Sequence, residues 1–255
     1  MSDNTLSDAS ETLQKEHYER IAADYDAHYN DAYSQQYMRK FIYEPLLAGI
    51  EISGKKVLEA MSGGGQLTQT LLDKGAKVIG LDISHAQTAN FRRRHKNAEV
   101  ICASMLNSGI KDESFDIVIV IGGLHHLPPK TSEGLREIHR ILKKGGYLCF
   151  MEPHSESVAD YLRNFWYKRD SLFAENEAAI NVSKLRREFA DSFEFKSELF
   201  LGNVAYLLVM NSLVFRVPLR LKPIYSPSLI FAEKILNPIL GKPLSCFVVA
   251  QWRKK

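Results

Sequence analysis

Cysteine is scarce in this chain, and its placement excludes two kinds of chemistry. The 255 residues include three cysteines, Cys102, Cys149 and Cys246, each within an apolar run and far from the others in sequence. There is no Cys-x-x-Cys pair, so the sequence offers the spacing of neither a zinc site nor a redox motif. We therefore expect free thiols, no metal ion, a reducing compartment and a cytoplasmic protein.

Net charge and long apolar runs are also lacking. The formal net charge of +3 is too small for a strongly basic domain, so we expect no nucleic-acid partner. The longest apolar run, near Val204–Phe215, is broken by Asn211 and is too short to span a bilayer. The N-terminal residues 1–14 are polar and acidic, which predicts a frayed tail rather than a signal peptide. Acidic residues are absent from Leu199–Ala232, so the C-terminal third carries a local excess of positive charge.

Short apolar runs alternate with helical patterns through the middle of the chain. The runs predict strands at Lys56–Met61, Lys77–Ser84, Ala98–Ser104, Ser114–Gly123 and Tyr147–Pro153. The patterns between them predict helices at Gln66–Gly75, Ser84–Asn97 and Thr131–Gly146, with Ser84 as an N-cap and Lys143 and Lys144 at a helix C-terminus. This alternation predicts an α/β fold: a Rossmann-like, doubly wound, mostly parallel sheet that binds ligands at the carboxyl ends of its strands.

The two flanks of this region have different patterns. Aromatic residues three or four apart before residue 50 predict helices that are broken near Asn30–Asp31. Near the C-terminus, strands are predicted at Phe193–Leu201 and Ser245–Arg253, with a helix at Ser226–Ile239 that has Pro227 in its first turn. We expect residues 1–50 to form a tail and helical lid, 51–153 the cofactor-binding half, and 154–255 the rest of the sheet with a substrate cap.

The first apolar run ends in a loop that combines a carboxylate with bare main chain. Glu59 comes shortly before three consecutive glycines, 63–65. Glycines let a ligand approach the backbone, and a carboxylate repels a diphosphate but attracts a cation such as a sulfonium. Asp82 ends the second run, where an acid accepts hydrogen bonds from ribose hydroxyls. A dinucleotide also fits the glycines and Asp82, but Glu59 favours a cationic nucleoside.

Three segments together resemble the class I S-adenosylmethionine-dependent methyltransferases, in particular the small-molecule branch called type 11. They are "VLEAMSGGGQLTQTLLDKGAKVIGLDIS", "SFDIVIVIGGLHHLPP" and "REIHRILKKGGYLCFMEP", and their order and spacing agree with that family over residues 56–153. The resemblance implies a seven-stranded sheet whose last two strands form an antiparallel pair, and S-adenosyl-L-methionine as cofactor.

The resemblance also implies cofactor-binding positions. Glu59 would lie near the amino-acid end of the cofactor, Asp82 would hold the ribose hydroxyls, and Ile83 would pack on the adenine. The full implied set is Glu59, Ala60, Met61, Gly63, Gly65, Asp82, Ile83, Ala103, Ser104, Met105, Ile121 and Gly122, to which we add Tyr25. The chain departs from the family at Met61, where a glycine is usual, and at Ser104, where an acid often binds the adenine amino group.

Two histidines are the candidate catalytic residues. His125 and His126 follow the fourth predicted strand, where a methyl acceptor would arrive, and imidazole can take a proton near neutral pH. Alternatively, they only shape the loop. Glu152 and His154 end the next strand at the same edge, where they could bind substrate, join the histidines around a metal ion, or simply end the strand.

Aromatic and basic residues outside the central region have two or more interpretations. Tyr25 and Tyr29 could close over a sulfonium as a lid, or could belong to the apolar stripe of packed helices. Arg163, Arg216 and Arg220 lie among apolar residues, which fits a surface that rests on anionic lipid, a cap for an anionic or lipid-linked substrate, or a core with a solvated edge. The last of these is the interpretation that we prefer from sequence.

We therefore predict an enzyme that moves a methyl group from S-adenosylmethionine to an oxygen or nitrogen of a small molecule. Two alternatives stay open: an oxidoreductase that binds NAD(P), and a non-catalytic interaction or membrane-surface protein on a methyltransferase scaffold. The sequence does not specify the acceptor or the oligomeric state.

Overall fold

The computed structural model describes Tyr29 and residues 31–167, 178–212 and 215–255. Seven strands form one sheet in the order β3-β2-β1-β4-β5-β7-β6. The strands are β1 (Lys56–Ala60), β2 (Lys77–Asp82), β3 (Glu99–Cys102), β4 (Phe115–Ile121), β5 (Leu142–Pro153), β6 (Phe193–Leu201) and β7 (Phe247–Lys254). The described helices are α1 (Ala32–Met38), α2 (Glu44–Leu47), α3 (Thr68–Asp73), α4 (His85–Arg94), α5 (Thr131–Ile141), α6 (Val158–Tyr167), α7 (Val182–Glu188) and α8 (Lys222–Leu240).

The direction of the strands defines where ligands can bind. Strands β1 to β5 pair in parallel, while β7 runs antiparallel to both β5 and β6. Strand β6 therefore points the same way as β5, and the carboxyl ends of β1 to β6 lie at one edge, which we call the site edge. The predicted Rossmann-like, seven-stranded sheet with a C-terminal antiparallel pair is confirmed.

The N-terminal helices pack on one face of the sheet. The carboxylate of Asp31 accepts hydrogen bonds from the backbone N–H groups of Tyr33 and Ser34, so it caps α1 where a helix break was predicted. A π-helical turn, Arg39–Tyr43, joins α1 to α2. Tyr37 and Phe41 are buried in the core of this face, which shows that the aromatic periodicity of residues 31–43 reflects helix packing.

Each face of the sheet has its own apolar core. On one face, α1, α2, the π-helical turn Tyr206–Met210 and Ile230 of α8 cover strands β1, β4, β5 and β7. On the other face, the buried side chains of α5 and α7 pack against the same strands. This two-sided cover explains why β4 is buried along almost its whole length.

Two predicted helix boundaries were wrong. The helix that we expected to continue to Gly146 ends at Ile141, and Lys143 lies in β5, where its ammonium group pairs with Asp116 at 2.8 Å. Helix α8 begins at Lys222 rather than Ser226, so Pro227 lies inside the helix instead of in its first turn. No described helix is both long and apolar enough to cross a lipid bilayer.

Candidate active site

Asp82 joins the glycine loop to the end of β2. Its Oδ2 accepts a hydrogen bond from the backbone N–H of Gly63 at 2.8 Å, and its Oδ1 accepts one from Ser84 at 2.9 Å. Burial raises the pKa of Asp82, and these two donors oppose that rise because they favour the carboxylate. Each oxygen has a second lone pair, so the carboxylate can still accept hydrogen bonds from a pair of hydroxyls.

Glu59 is hydrogen-bonded to the residues that follow the glycine loop. The carboxyl group is buried at the end of β1, where it accepts hydrogen bonds from the backbone N–H of Leu67 at 3.1 Å and from the hydroxyl of Thr68. Burial raises its pKa to about 7. Glu59 therefore fixes the start of α3, and any influence on a cofactor passes through the loop.

The glycines of the site edge differ in what surrounds them. Apart from its chain neighbours, a Cβ added at Gly63 or at Gly122 would make one ordinary van der Waals contact, at 3.9 Å, so both glycines have room for a small group above the main chain. A Cβ added at Gly65 would lie 2.7 Å from the rings of Phe91 and His95, so that glycine serves the packing of α4 against the loop. The space above Gly63 and Gly122 fits a ligand that approaches the main chain at the ends of β1 and β4.

Met61 adopts the backbone conformation of the glycine that it replaces. Its φ is 54°, in the left-handed region that disfavours a side chain. The thioether is directed to the end of β4, because a Cβ added at Gly123 would lie 2.9 Å from both Cβ and Sδ of Met61. The loop therefore holds Met61 in a conformation that favours glycine, and its side chain packs beside Gly123.

The positions expected around an adenine lie at the ends of β2 and β3. Ile83, Ala103 and Ser104 are half-buried there. The Ser104 hydroxyl oxygen accepts a hydrogen bond from the backbone N–H of Leu106 at 3.1 Å, so it shapes the turn after β3. Met105 and Ala60 are buried in the apolar core and contribute to the site through packing. Of the remaining positions, Ile121 is half-buried at the end of β4, and Tyr25 lies outside the described residues.

His125 and Glu152 form a hydrogen-bonded pair at the site edge. The Glu152 side chain is fully buried, with its Oε2 2.8 Å from Nδ1 of His125. Its Oε1 accepts hydrogen bonds from the backbone N–H groups of Gly123 and Leu124, both at 2.7 Å. Burial raises the pKa of Glu152 to about 7, and the N–H donors favour its carboxylate. When Glu152 is ionised it only accepts hydrogen bonds, so Nδ1 of His125 then carries the proton, and Nε2 is the nitrogen that can take one.

The other polar residues near the pair have distinct surroundings. Burial lowers the pKa of His125, and the nearby guanidinium of Arg163 lowers it further. The Nη2 of Arg163 donates to Asp160 and to the carbonyl of His154, while its buried Nε has no hydrogen-bond partner in the described part of the chain. His126 is buried, and its ring packs 3.8 Å from that of His125. Among the described residues, no three metal-binding side chains are grouped to hold an ion.

The sequence did not identify two features of this site. The sequence allows three roles for Glu152: binding substrate, binding a metal ion or ending a strand. It does not indicate the contact with His125, because that histidine lies far from Glu152 in sequence. Arg163 was considered only for the basic surface, whereas it lies close enough to influence the imidazole of His125. Tyr29, a candidate lid residue, is buried in the core, and its hydroxyl donates to Asn211 at 3.2 Å.

The strand order, the glycine loop and the acid at the end of β2 define the fold of class I S-adenosylmethionine-dependent methyltransferases. Comparison with known proteins agrees. Residues 58–150 match the family model described as a methyltransferase domain. This segment therefore belongs to that domain family.

Two relatives with similar sequences are, by their names, methyltransferases. Over 127 residues, the chain is 34% identical to phthiotriol/phenolphthiotriol dimycocerosates methyltransferase 1 of Mycobacterium ulcerans, a match that covers 47% of this chain and 46% of the relative. Over 99 residues, it is 35% identical to demethylmenaquinone methyltransferase of Corynebacterium kroppenstedtii, covering 39% of this chain and 42% of the relative. The chain thus matches less than half the length of each of these curated relatives.

A solved structure extends the similarity of fold beyond this segment. Magnesium protoporphyrin IX methyltransferase of Synechocystis PCC 6803, with bound SAH, superposes with a TM-score of 0.65 at 14% sequence identity. The superposition covers 96% of this chain and 100% of that one. At this identity, the likeness establishes the fold.

Proposed function

We propose that the protein transfers a methyl group from S-adenosyl-L-methionine to an oxygen or nitrogen of a small molecule, with an acidic hydroxyl as the preferred acceptor. The observation that carries this proposal is the room above the main chain at Gly63 and Gly122. The backbone N–H of Gly63 donates to the carboxylate of Asp82, and Gly122 neighbours the imidazole of His125. The nearest atom to a Cβ at Gly122 is Cε1 of His125, at 3.9 Å. A base is therefore adjacent to the place where the end of β4 meets a bound ligand.

The residues on the cofactor side bind and orient S-adenosylmethionine. Bound S-adenosylmethionine supplies an activated methyl group on a sulfonium. Asp82 accepts hydrogen bonds from the ribose hydroxyls, and Gly63 and Gly122 let the main chain approach the ligand. Glu59 keeps the loop in place, and Ile83 offers an apolar surface to the adenine. The half-buried residues at the ends of β2, β3 and β4 exclude water from the transfer.

The residues on the acceptor side remove a proton. His125 takes the proton of the acceptor at Nε2, and the carboxylate of Glu152 stabilises the imidazolium that forms. Because burial lowers the pKa of His125, the imidazole is a weak base. It therefore suits a hydroxyl that is already acidic, such as a phenol or an enol, and the nearby positive charge of Arg163 favours the resulting oxyanion.

The acceptor is, in our proposal, lipophilic as well as acidic. The two curated relatives act, according to their names, on mycocerosate esters and on demethylmenaquinone, and both names denote lipophilic molecules. The same proposal assigns a tail and helical lid to residues 1–50, cofactor binding to 51–153, and the rest of the sheet with a substrate cap to 154–255. A cytoplasmic location is likewise a proposal, supported by the free thiols of Cys102, Cys149 and Cys246.

Calorimetry with S-adenosylhomocysteine tests the cofactor. We expect binding by the wild type and a loss of about 30-fold or more for Asp82→Ala, because two charge-assisted hydrogen bonds are removed. Asp73→Ala, which removes an exposed carboxylate from α3, serves as the control and should bind normally. Binding of NAD instead would favour the oxidoreductase, and no binding of either ligand by folded protein would favour the non-catalytic alternative.

Nuclear magnetic resonance of the imidazole nitrogens tests the base. At pH 8, we expect the 15N shifts of His125 to report a protonated Nδ1 and a bare Nε2. In Glu152→Gln, the side-chain amide can donate to Nδ1, so we expect the proton to move to Nε2 in part of the population. An unchanged tautomer in Glu152→Gln would contradict the assigned role of Glu152.

A further inference from the structure

The outer face of α8 is apolar and exposed. Ile224, Phe231, Ile235 and Ile239 expose 77%, 64%, 49% and 71% of their surface. At about 100° per residue, these four positions lie within an arc of about 80°. They therefore lie on one side of the helix, with the exposed Ser228 among them, and we call this set the α8 stripe. An exposed apolar surface of this kind is typical of a site that contacts a partner or a membrane.

The opposite face of α8 is held firmly by the rest of the protein. Ile230 is buried in the core beneath the helix. The buried carboxylate of Glu233 accepts hydrogen bonds from the hydroxyl of Tyr37 at 2.7 Å and from the backbone N–H groups of Asn203 and Ala205. These contacts fix the rotation of α8 about its axis, so the stripe faces outward as a consequence of the fold.

The exposed charges of α8 and of the segment before it are of one sign. Lys234 lies on α8, and Arg216 and Arg220 precede that helix in the chain; all three are exposed. Between residues 215 and 244 the one acidic residue is Glu233, and its carboxylate is buried on the opposite face. The exposed surface of this segment is therefore apolar and cationic, which is complementary to a bilayer that contains anionic lipids.

The C-terminal part of α8 contacts the site edge through the face opposite the stripe. Asn237 of α8 accepts a hydrogen bond from the backbone N–H of Gly202, just after the end of β6, at 3.1 Å. Strand β6 ends at the same edge as β5, which carries Glu152. The helix that presents the stripe is thus anchored at the edge where the acceptor must arrive.

We propose that the α8 stripe rests on the surface of an anionic lipid bilayer. Phe231 and the isoleucines enter the boundary between headgroups and acyl chains, while Arg220 and Lys234 contact lipid phosphates. The docking itself does not depend on the methyl transfer. Its consequence, that a lipophilic acceptor reaches the site edge directly from the bilayer, rests on the proposed function.

Sedimentation with vesicles tests this docking on the full chain. We expect binding to phosphatidylcholine vesicles that contain about 30% phosphatidylglycerol, weaker binding to phosphatidylcholine alone, and weaker binding in about 0.5 M salt. The double variant Phe231→Ser/Ile235→Ser should lower the partition coefficient about tenfold or more, because two apolar side chains no longer enter the bilayer. Arg220→Gln should lower it several-fold.

Matched variants separate the stripe from general changes in the surface. Leu199→Ser removes an exposed apolar residue from β6, and Lys144→Gln removes an exposed cation from the opposite edge of the sheet; both should sediment like the wild type. The proposal is overturned if the full chain does not sediment, if phosphatidylcholine alone binds it equally well, or if the double variant sediments normally. It is also overturned if light scattering shows a dimer that the double variant dissociates, since a second copy would then cover the stripe.

The failure of this proposal can be told apart from failure of the proposed function. Calorimetry with S-adenosylhomocysteine reports on the cofactor site without lipid, and the double variant should bind that ligand like the wild type. Vesicle binding without S-adenosylhomocysteine binding would support the docking proposal and contradict the proposed enzymatic function. The reverse result would keep the enzyme and overturn the docking.

Discussion

Gly63 and Gly65 both have positive φ angles, of 51° and 79°, yet their surroundings differ. A Cβ at Gly63 would make one ordinary van der Waals contact, at 3.9 Å, whereas two aromatic rings pack against Gly65. Alanine in the left-handed region costs about 1–2 kcal/mol at either position. The added Cβ would then intrude on the ligand at Gly63 and on the rings at Gly65. Gly63→Ala is therefore expected to impair ligand binding, and Gly65→Ala is expected to impair folding.

Urea unfolding and calorimetry check this prediction. Gly63→Ala should weaken S-adenosylhomocysteine binding at least about tenfold while it lowers the free energy of unfolding by only about 1–2 kcal/mol. Gly65→Ala should lower that free energy by about 2–5 kcal/mol, because overpacking is added to backbone strain. Gly54→Ala is the control, since Gly54 has a φ of 73° and no atom near its Cβ position. Equal binding by Gly63→Ala and Gly54→Ala would contradict the assigned site.

The attachment of α1 to α8 depends on a buried charge. Lys222, at the start of α8, has 1% of its side chain exposed, and its ammonium group donates to Asp31 and to Ser34. Asp31 also caps α1, so one carboxylate both starts that helix and compensates the buried cation. Removing the acid leaves a charge in a poorly solvated place, whereas removing both partners does not.

Double-mutant analysis of Asp31 and Lys222 measures this coupling. Asp31→Ala should lower the free energy of unfolding by about 3–5 kcal/mol, since it removes a cap and leaves the ammonium group buried. Lys222→Met should cost less, because the cap remains and no buried cation is left. The double variant should cost less than the sum of the two single variants. Additive effects in thermal or urea unfolding would show that the pair contributes nothing beyond its separate residues.

Helices and strands were predictable where the chain pattern is local. The Ser84 N-cap is confirmed, because its hydroxyl oxygen accepts a hydrogen bond from the backbone N–H of Gln87 at 3.3 Å. The end of α5 was predicted wrongly, because Leu142 already pairs with Phe115 of β4. That pairing between distant residues ends the helix before the glycines that appeared to mark its end. A helix boundary decided by a neighbouring strand leaves no signal in the adjacent sequence.

The sequence predicts which residues lie at the candidate site but not all of the contacts between them. The position of Asp82 and His125 at the site edge follows from the alternation of strands and helices, because each residue comes at or just after the end of a strand and parallel strands end at the same edge. The partner of His125 does not follow, because Glu152 comes from another strand. The surroundings of Gly65 were also hidden, since Phe91 and His95 meet it only when α4 packs on the loop.

Buried carboxylates organise the site edge as a unit. Glu59 lies near the end of β1, Asp82 is the last residue of β2, and Glu152 lies near the end of β5. Each accepts backbone hydrogen bonds from a loop at the site edge. Burial raises the pKa of all three, to about 7 for Glu59 and for Glu152. The loops are therefore held by groups whose ionised form is costly in the folded state, and the stability of the protein should depend on pH near neutrality.

Glu59→Gln isolates one of these contributions. The pKa of Glu59 rises from 4.5 to about 7 on folding, so between these values the folded chain holds more protons than the unfolded chain. The contribution of Glu59 to the free energy of unfolding therefore falls as the pH rises through that window. Glutamine resembles the protonated acid and does not titrate. We expect the variant to gain about 2–3 kcal/mol relative to the wild type between pH 5 and pH 8.

Glu137→Gln provides a control of opposite sign for the same measurement. The guanidinium of Arg140 lowers the pKa of Glu137 to about 2, so this acid is ionised in both states above pH 5. Its contribution to stability is constant from pH 5 to pH 8 and is lost only as the pH falls below the ordinary value of 4.5. Urea unfolding at several pH values should therefore give a difference from the wild type that is flat for Glu137→Gln and rises for Glu59→Gln. A flat difference for both variants would mean that Glu59 is ionised in the folded protein at pH 5, and that the loop is held by a charge rather than by a neutral acid.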